Sequence, residues 1–341
     1  MPLSEINQKF VGAAKVTISQ MKKTIILGSQ KSVEEYSLLL KDLKDVTLKG
    51  YIDPDDSMNY NMFGDFIKII EIIQTGDIFI IGNHVSNLSF DVICQMVKFG
   101  KHIFIDGYRN WSTHEIEILQ KLRRESETTF QFGNTLYSLP LFTTSLQYLK
   151  KPRFVKLEKH CQAPKTGEFN QWIFQQLSQE MDLILRIVDS HVRSISARPM
   201  FLFGEHTDLL NIHIEFDNDA ICQISLGRAI EEKTHKIRVF QHEKLFHIDF
   251  HENELTEYRL SSNSDQLSLD IENPHSQNDS QQFISIKRNI MPYDVKKMEL
   301  RNFIENIDKK LTPLNHLDHI EGVSQICEII TEKVKRKYQS V

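Results

Sequence analysis

The sequence predicts an α/β protein of two domains: a doubly wound parallel sheet first, then an α+β domain with an open, mostly antiparallel sheet. Three observations predict it. In the first 132 residues, short and uniformly apolar runs alternate with helical stretches, the pattern of parallel strands buried on both faces. Beyond residue 200, apolar residues instead recur at every second position, the pattern of strands with one buried face. The chain also has 341 residues, more than one ordinary core takes up.

Each element follows from local signals. Residues 24–27 form a short apolar run ending in Gly28. A helical stretch follows, with Tyr36, Leu39, Leu40 and Leu43 on one stripe. Residues 46–52 read as the second strand, ending at Asp53 and Pro54. The apolar segment 63–73 comes next, then the strand 78–81. Residues 90–99 are helical and lead to the strand 102–105. Ser112-Thr-His-Glu115 has capping-box spacing and opens a helix with Ile116, Leu119 and Leu122 on its apolar side. Residues 128–132 are one more strand. Strands separated by helices at this spacing make a parallel sheet.

The second half changes period. Residues 169–188 are helical. Leu210, Ile212, Ile214 and Phe216 then point one way, with Asn211, His213 and Glu215 the other. Asp217-Asn-Asp219 is a turn into the strand 220–226, and 236–240 and 245–250 continue the pattern. The result is an open antiparallel sheet with helices on one face and a polar second face. Residues 261–282 are polar and form a long loop. Helices around 296–307 and 319–335 close the chain. The expected division is a peripheral extension over 1–20, with Met21 as a second candidate start, a first domain over 21–132 and a second over 133–341.

Composition excludes several classes. Hydrophobic residues make up 40% and charged residues 26%, with a net charge of -5. That balance belongs to a globular protein without a nucleic-acid or membrane surface. Lys333, Lys335, Arg336 and Lys337 read as a solvated helix end. No apolar run approaches the ~20 residues of a membrane helix, and residues 1–22 lack the features of a signal peptide. The four cysteines, Cys94, Cys161, Cys222 and Cys327, lie far apart among apolar neighbours, so buried free thiols and a cytoplasmic location are expected. His242, His247 and His251 fall in a strand-like segment without metal-ligand spacing, and no metal site is expected.

A strand, a glycine and a helix at the start of a βαβ unit is where a dinucleotide pyrophosphate sits. Here that segment is Gly28-Ser-Gln-Lys-Ser-Val33. Only the first glycine of G-x-G-x-x-G is present, so an ordinary βα turn reads equally well. Asp53, at the end of the second strand, fits the acidic residue that accepts from an adenosine ribose and favours NAD over NADP; a strand-end turn residue is the plain alternative.

The order of segments from Met21 onward resembles the Gfo/Idh/MocA family of sugar dehydrogenases. The resemblance is carried by Ile25-Ile-Leu-Gly28, Tyr51-Ile-Asp-Pro54, Asp77-Ile-Phe-Ile-Ile-Gly-Asn83 and, most specifically, Phe99-Gly-Lys-His-Ile-Phe-Ile105. Glu180-Met-Asp-Leu-Ile-Leu185 resembles the family's substrate-facing helix, and residues 209–226 its paired C-terminal strands. The resemblance implies a Rossmann-like first domain for NAD or NADP, with Gly28, Ser29, Gln30, Asp53, Gly82, Asn83 and Asp106 along the cofactor. It also implies a sugar-like ligand and a homo-oligomer formed through the C-terminal sheet.

The departures from the family are as specific as the matches. Where the family has a Glu-Lys-Pro turn, this chain has Asp106-Gly-Tyr108, so Gly107 stands at the lysine position. The family's Asp, His and Asp of the later helix correspond to Gln175, Gln179 and Asp182. Tyr137 stands where arginine is frequent, and Asn83 and Asn87 replace a proline and a histidine. Alcohol oxidation needs a group that takes the hydroxyl proton, and glutamine and glycine cannot. Two readings follow. One is a non-catalytic protein with weak or lost dinucleotide affinity that binds a dinucleotide, a sugar or a partner. The other is an active oxidoreductase using Tyr108, Tyr137, His84 or His102 as proton donor.

Overall fold

The computed structural model describes residues 21–53, 66–82, 85, 88–109, 111–133, 135–162, 169–201, 207–228, 233–260, 283–291, 293–313 and 316–338. The expectations for 1–20 and 261–282 lie outside the described residues. The first domain runs β1 (Lys22–Leu27), α1 (Gln30–Lys41), β2 (Val46–Ile52), α2 (Phe66–Thr75), β3 (Ile78–Ile81), α3 (Phe90–Lys98), β4 (His102–Asp106), α4 (Thr113–Ser126) and β5 (Phe130–Gly133). The second continues with α5 (Thr135–Ser138), α6 (Pro140–Leu146), β6 (Phe154–Cys161), α7 (Phe169–Val188), β7 (Val192–Met200), β8 (Leu209–Phe216), β9 (Ile221–Arg228), β10 (Thr234–Gln241), β11 (Lys244–Asp249), β12 (Glu254–Leu260), β13 (Phe283–Asn289), α8 (Val295–Lys309) and α9 (Leu317–Tyr338).

The first five strands form a parallel sheet in the order β2-β1-β3-β4-β5. Alternate residues of one strand serve different cores, as the pleat requires. Ile26, Ile78, Ile80 and Phe104 pack with α1 and α8, whereas Ile25, Phe79, Ile81 and Ile105 pack with α2, α3 and α4. Burial on both faces is what demanded the uniformly apolar runs. The capping box is present: Ser112 Oγ accepts from the Glu115 N–H, and the Glu115 carboxylate accepts from the Ser112 N–H at 2.8 Å. Its helix, α4, begins at Thr113 as the sequence reading expects.

The other eight strands form a sheet in the order β13-β12-β11-β10-β6-β9-β8-β7. It is mostly antiparallel but not wholly so, because β6 and β9 pair in parallel. Leu210, Ile212, Ile214 and Phe216 of β8 are buried, as their alternation predicts. Strands β6, β7, β12 and β13 are additions to the sequence reading. Strand β6 hides because its inward position 159 is a lysine, which interrupts the apolar alternation. Strand β7 is an edge strand whose one buried residue is Ala197.

Between them, the two C-terminal helices pack in both cores. Helix α8 sits in the core of the first sheet, with Leu300, Phe303, Ile304 and Ile307 against Ile26, Tyr36 and Phe104. Helix α9 belongs to both cores: Leu317 and Ile320 join the first, and Val323, Ile326, Cys327 and Ile330 the second. Among the cysteines, Cys94, Cys222 and Cys327 are buried, whereas Cys161 is half-buried. No helix among the described residues is long and apolar enough to cross a membrane.

Candidate functional site

In an open parallel sheet, ligands bind outside the carboxyl ends of the strands, where the strand order reverses. Here that point lies between β1 and β3. The Gly28 N–H donates to the Ile52 carbonyl at 2.9 Å and the Gly82 N–H to the Leu27 carbonyl at 2.8 Å. These bonds draw Gly28, Gly82 and the end of β2, next to Asp53, into one place. The head of α1 closes over them. A Cβ on Gly82 would lie 2.8 Å from both Cβ and Oγ of Ser32, and one on Gly28 would lie 3.0 Å from the same Cβ. The close helix–strand approach that the fingerprint obtains from a glycine on the helix comes here from glycines on the strands.

The head of α1 retains the features that favour an anion. Ser29 is its N-cap, no side chain caps it, and the first turn carries no acid. Ser29 Oγ lies 3.4 Å from Ser32 Oγ. Gln30, where the fingerprint has a glycine, is held along the helix by Glu34 at 3.0 Å. These residues fit a dinucleotide: the backbone of Gly28 and Gly82 and the α1 amides would meet its pyrophosphate, and Asp53 its ribose.

The second domain presents a different picture. Asp182 is fully buried on α7; its Oδ1 accepts from Arg186 Nε at 2.9 Å and pairs with His319 Nε2 of α9. The Arg186 guanidinium lies 3.8 Å above the Tyr137 ring. Burial raises the Tyr137 pKa and Asp182 adds to it, against the opposing Arg186. Asp182 and Tyr137 are thus brought together, with Gln179 one turn before Asp182. Their arrangement holds charge in place and offers no carboxylate to a ligand.

Other predicted residues fall elsewhere. Asp106 does not face a cofactor alone: Lys296 reaches it at 3.3 Å and Glu35 at 2.8 Å. Tyr36 is buried close by, and burial, with the Asp106 carboxylate next, raises its pKa. Tyr108 is buried with its ring stacked on Phe132, 6.1 Å between centroids. His102 begins β4 and so stands at the opposite edge of the sheet from the crevice; its Nδ1 accepts from the Thr129 N–H at 3.0 Å. That position removes it as a proton donor. Gly107 has φ 86, a left-handed backbone that favours glycine. Asn83, His84, Asn87 and the Gln175 side chain lie outside the described residues.

Sequence reading missed four contributors. Arg186 was legible as an i,i+4 partner of Asp182 on one helix face. Lys296 and His319 were not, because each arrives from a helix more than a hundred residues away. Arg109, beyond the end of β4, was also missed; its guanidinium donates to the carbonyls of Gly82 at 2.8 Å and Val85 at 3.0 Å.

A doubly wound parallel domain with a switch-point crevice, joined to an open mixed sheet of eight strands, defines the class: the chain has the two-domain fold of the Gfo/Idh/MocA-type dehydrogenases. Solved structures of similar fold include UDP-N-acetylglucosamine 3-dehydrogenase from Acidithiobacillus ferrooxidans, with a TM-score of 0.77 and 15% identity over 93% of this chain and 99% of that one. The MviM dehydrogenase from Clostridium difficile has a TM-score of 0.70 and 13% identity, over 92% of this chain and 99% of that one. An NAD-binding protein from Listeria innocua has a TM-score of 0.70 and 13% identity, over 93% and 96%. No protein-family model matches the sequence, and no curated protein matches it. At these identities the likeness is one of fold.

Proposed function

We propose that the protein is a cytoplasmic, non-catalytic dinucleotide-binding protein that takes NAD(H) in the β1/β3 crevice and a sugar-like ligand or a partner between its domains. One observation carries the loss of catalysis: Asp182, the titratable group left on the substrate-facing helix, is fully buried and held by Arg186 and His319. Gly107 and Gln179, at the lysine and histidine positions, supply no proton-transfer group. The crevice supports binding, and Asp53 supports NAD over NADP. The neighbours named for NAD binding and for UDP-N-acetylglucosamine agree with that ligand pair. A bound nicotinamide would supply hydride transfer; this chain's own part is to hold the pyrophosphate and ribose. The reading includes a homo-oligomer paired through the open face of the larger sheet.

Titration calorimetry tests it. NADH is expected to bind more weakly than micromolar, and NADPH more weakly still, because Ser29 and Gln30 replace glycine-loop positions. Tight NADPH binding would overturn the role of Asp53. Polyol oxidation by the unmodified protein would overturn the non-catalytic reading.

One observation favours an active oxidoreductase instead. His319 forms an Asp–His pair with Asp182 while its side chain stays 23% exposed, the arrangement of an oriented acid/base. NADH turnover with a carbonyl substrate, abolished in His319→Gln, would establish that reading.

A further inference from the structure

Arg109 spans two strand ends. It lies three residues beyond β4, yet its guanidinium donates from Nη2 to the Gly82 carbonyl at 2.8 Å and from Nη1 to the Val85 carbonyl at 3.0 Å. A rigid fork of donors suits two acceptors at once in a way that a lysine ammonium does not. Gly82 is also the residue whose N–H bonds to the Leu27 carbonyl and where an added Cβ would meet Ser32 at the head of α1. One side chain from the β4 end therefore fixes the β3 end against the crevice. Strands β2 and β3 flank β1 on opposite sides. With the adenosine ribose at Asp53, after β2, the nicotinamide half lies on the side of β3 and β4.

We propose that Arg109 is a positioning residue that sets the crevice wall under the nicotinamide half of the dinucleotide. The inference rests on the dinucleotide reading above. It predicts an asymmetry: the loss of Arg109 weakens ligands that reach beyond the pyrophosphate and spares those that occupy the adenosine side alone. A charge acting on the phosphates from a distance would weaken both, and so would general damage to the fold.

The test is calorimetric titration of NADH and of adenosine monophosphate into the full chain and into Arg109→Ala and Arg109→Lys. The expected result for Arg109→Ala is NADH binding weaker by about tenfold or more, the scale of a lost charged hydrogen bond, with adenosine monophosphate affinity unchanged within about twofold. Arg109→Lys, which keeps the charge but not the fork, is expected to follow Arg109→Ala. Should Arg109→Ala fail to fold, the ratio of the two affinities in Arg109→Lys decides alone. Unchanged NADH affinity, an equal loss for both ligands, or full rescue by lysine overturns the proposal. A wild-type protein that binds neither ligand defeats the dinucleotide reading itself, and the inference with it. One that binds adenosine monophosphate no more weakly than NADH defeats the inference alone.

Discussion

At the scale of single residues, Asp182 is the position with most at stake. Removing its carboxylate takes a charged partner from both Arg186 and His319. Breaking a buried pair from one side destabilises by about 3–5 kcal/mol. Asp182→Ala is therefore expected to lose that much in urea denaturation; a loss below about 1 kcal/mol, within the range of an exposed pair, would show that Asp182 is not structural. Gly82→Ala makes a complementary test. Its methyl would lie 2.8 Å from the Ser32 Cβ, an atom of the helix head and not a flexible tip. The overpacking is expected to cost about 1–3 kcal/mol and to weaken NADH binding, whereas an unperturbed variant would show that α1 retreats freely. Gly107→Lys, the substitution that would restore the missing lysine, meets a left-handed backbone at φ 86. That strain is worth about 1–2 kcal/mol, so a restored activity must be sought together with Gln179→His and against a measured loss of stability.

At the scale of elements, buried charge fastens strands to helices. Glu180 of α7 is fully buried between Lys159 of β6 at 2.6 Å and His235 of β10 at 3.0 Å, with His235 stacked on Phe250. Burial alone would raise its pKa, but His235 and Lys159 outweigh burial and hold it at about 2. Because the folded value is depressed, its stabilisation is full above about pH 4.3, the ordinary glutamate value, and is lost as pH falls toward the folded value. His102 loses stability in an earlier window. Burial, with Lys22 next, lowers its pKa to about 4. The folded state binds the neutral imidazole, so this contribution is full above about pH 6.5 and is lost as pH falls from there to the folded value. Urea midpoints measured against pH are expected to fall in two windows. His102→Gln should flatten the first and Glu180→Gln the second; a single window unaffected by either substitution would refute the assignment.

Across the whole molecule, the two domains are joined by more than the chain connecting them. Thr113 at the head of α4 donates its N–H and hydroxyl to the Glu328 carboxylate of α9 at 2.9 and 3.0 Å, and Gln120 donates to Glu321 at 2.8 Å. Helix α8 adds the Lys296 bridge to Glu35 and Asp106. Glu328→Ala, which uncaps α4 from across the seam, is expected to cost about 1–2 kcal/mol and to leave unfolding as one cooperative transition. The open face of the larger sheet is polar, with Lys156 paired to Glu158 at 2.9 Å and Asn211 and His213 beside them. An oligomer through that face is expected to be wet and salt-sensitive. Light scattering that shows a strict monomer at low salt and tens of micromolar protein would exclude it.

The sequence by itself determined the elements whose pattern answers to a single local environment. Strand β3 reads as a strand because all four of its residues are buried on two faces. Strand β8 reads as alternating because its sheet has one covered face, and the start of α4 reads from its own capping box. Gly107, Gln179 and Asp182 were assigned to a catalytic set only through the family resemblance; the structure places Gln179 and Asp182 on α7 and Gly107 just after β4. Tertiary structure alone decided what those positions meet. The partners of Asp182, Asp106 and Glu180 come from α9, α8 and β10, far along the chain, and no local pattern announces which distant cation will meet a carboxylate. The same physics hid β6: Lys159 looks solvated in sequence and is buried only because Glu180 waits beneath it. Apolar burial follows a periodicity that one segment writes for itself, whereas a buried charge is settled by the one partner that folding brings within about 3 Å.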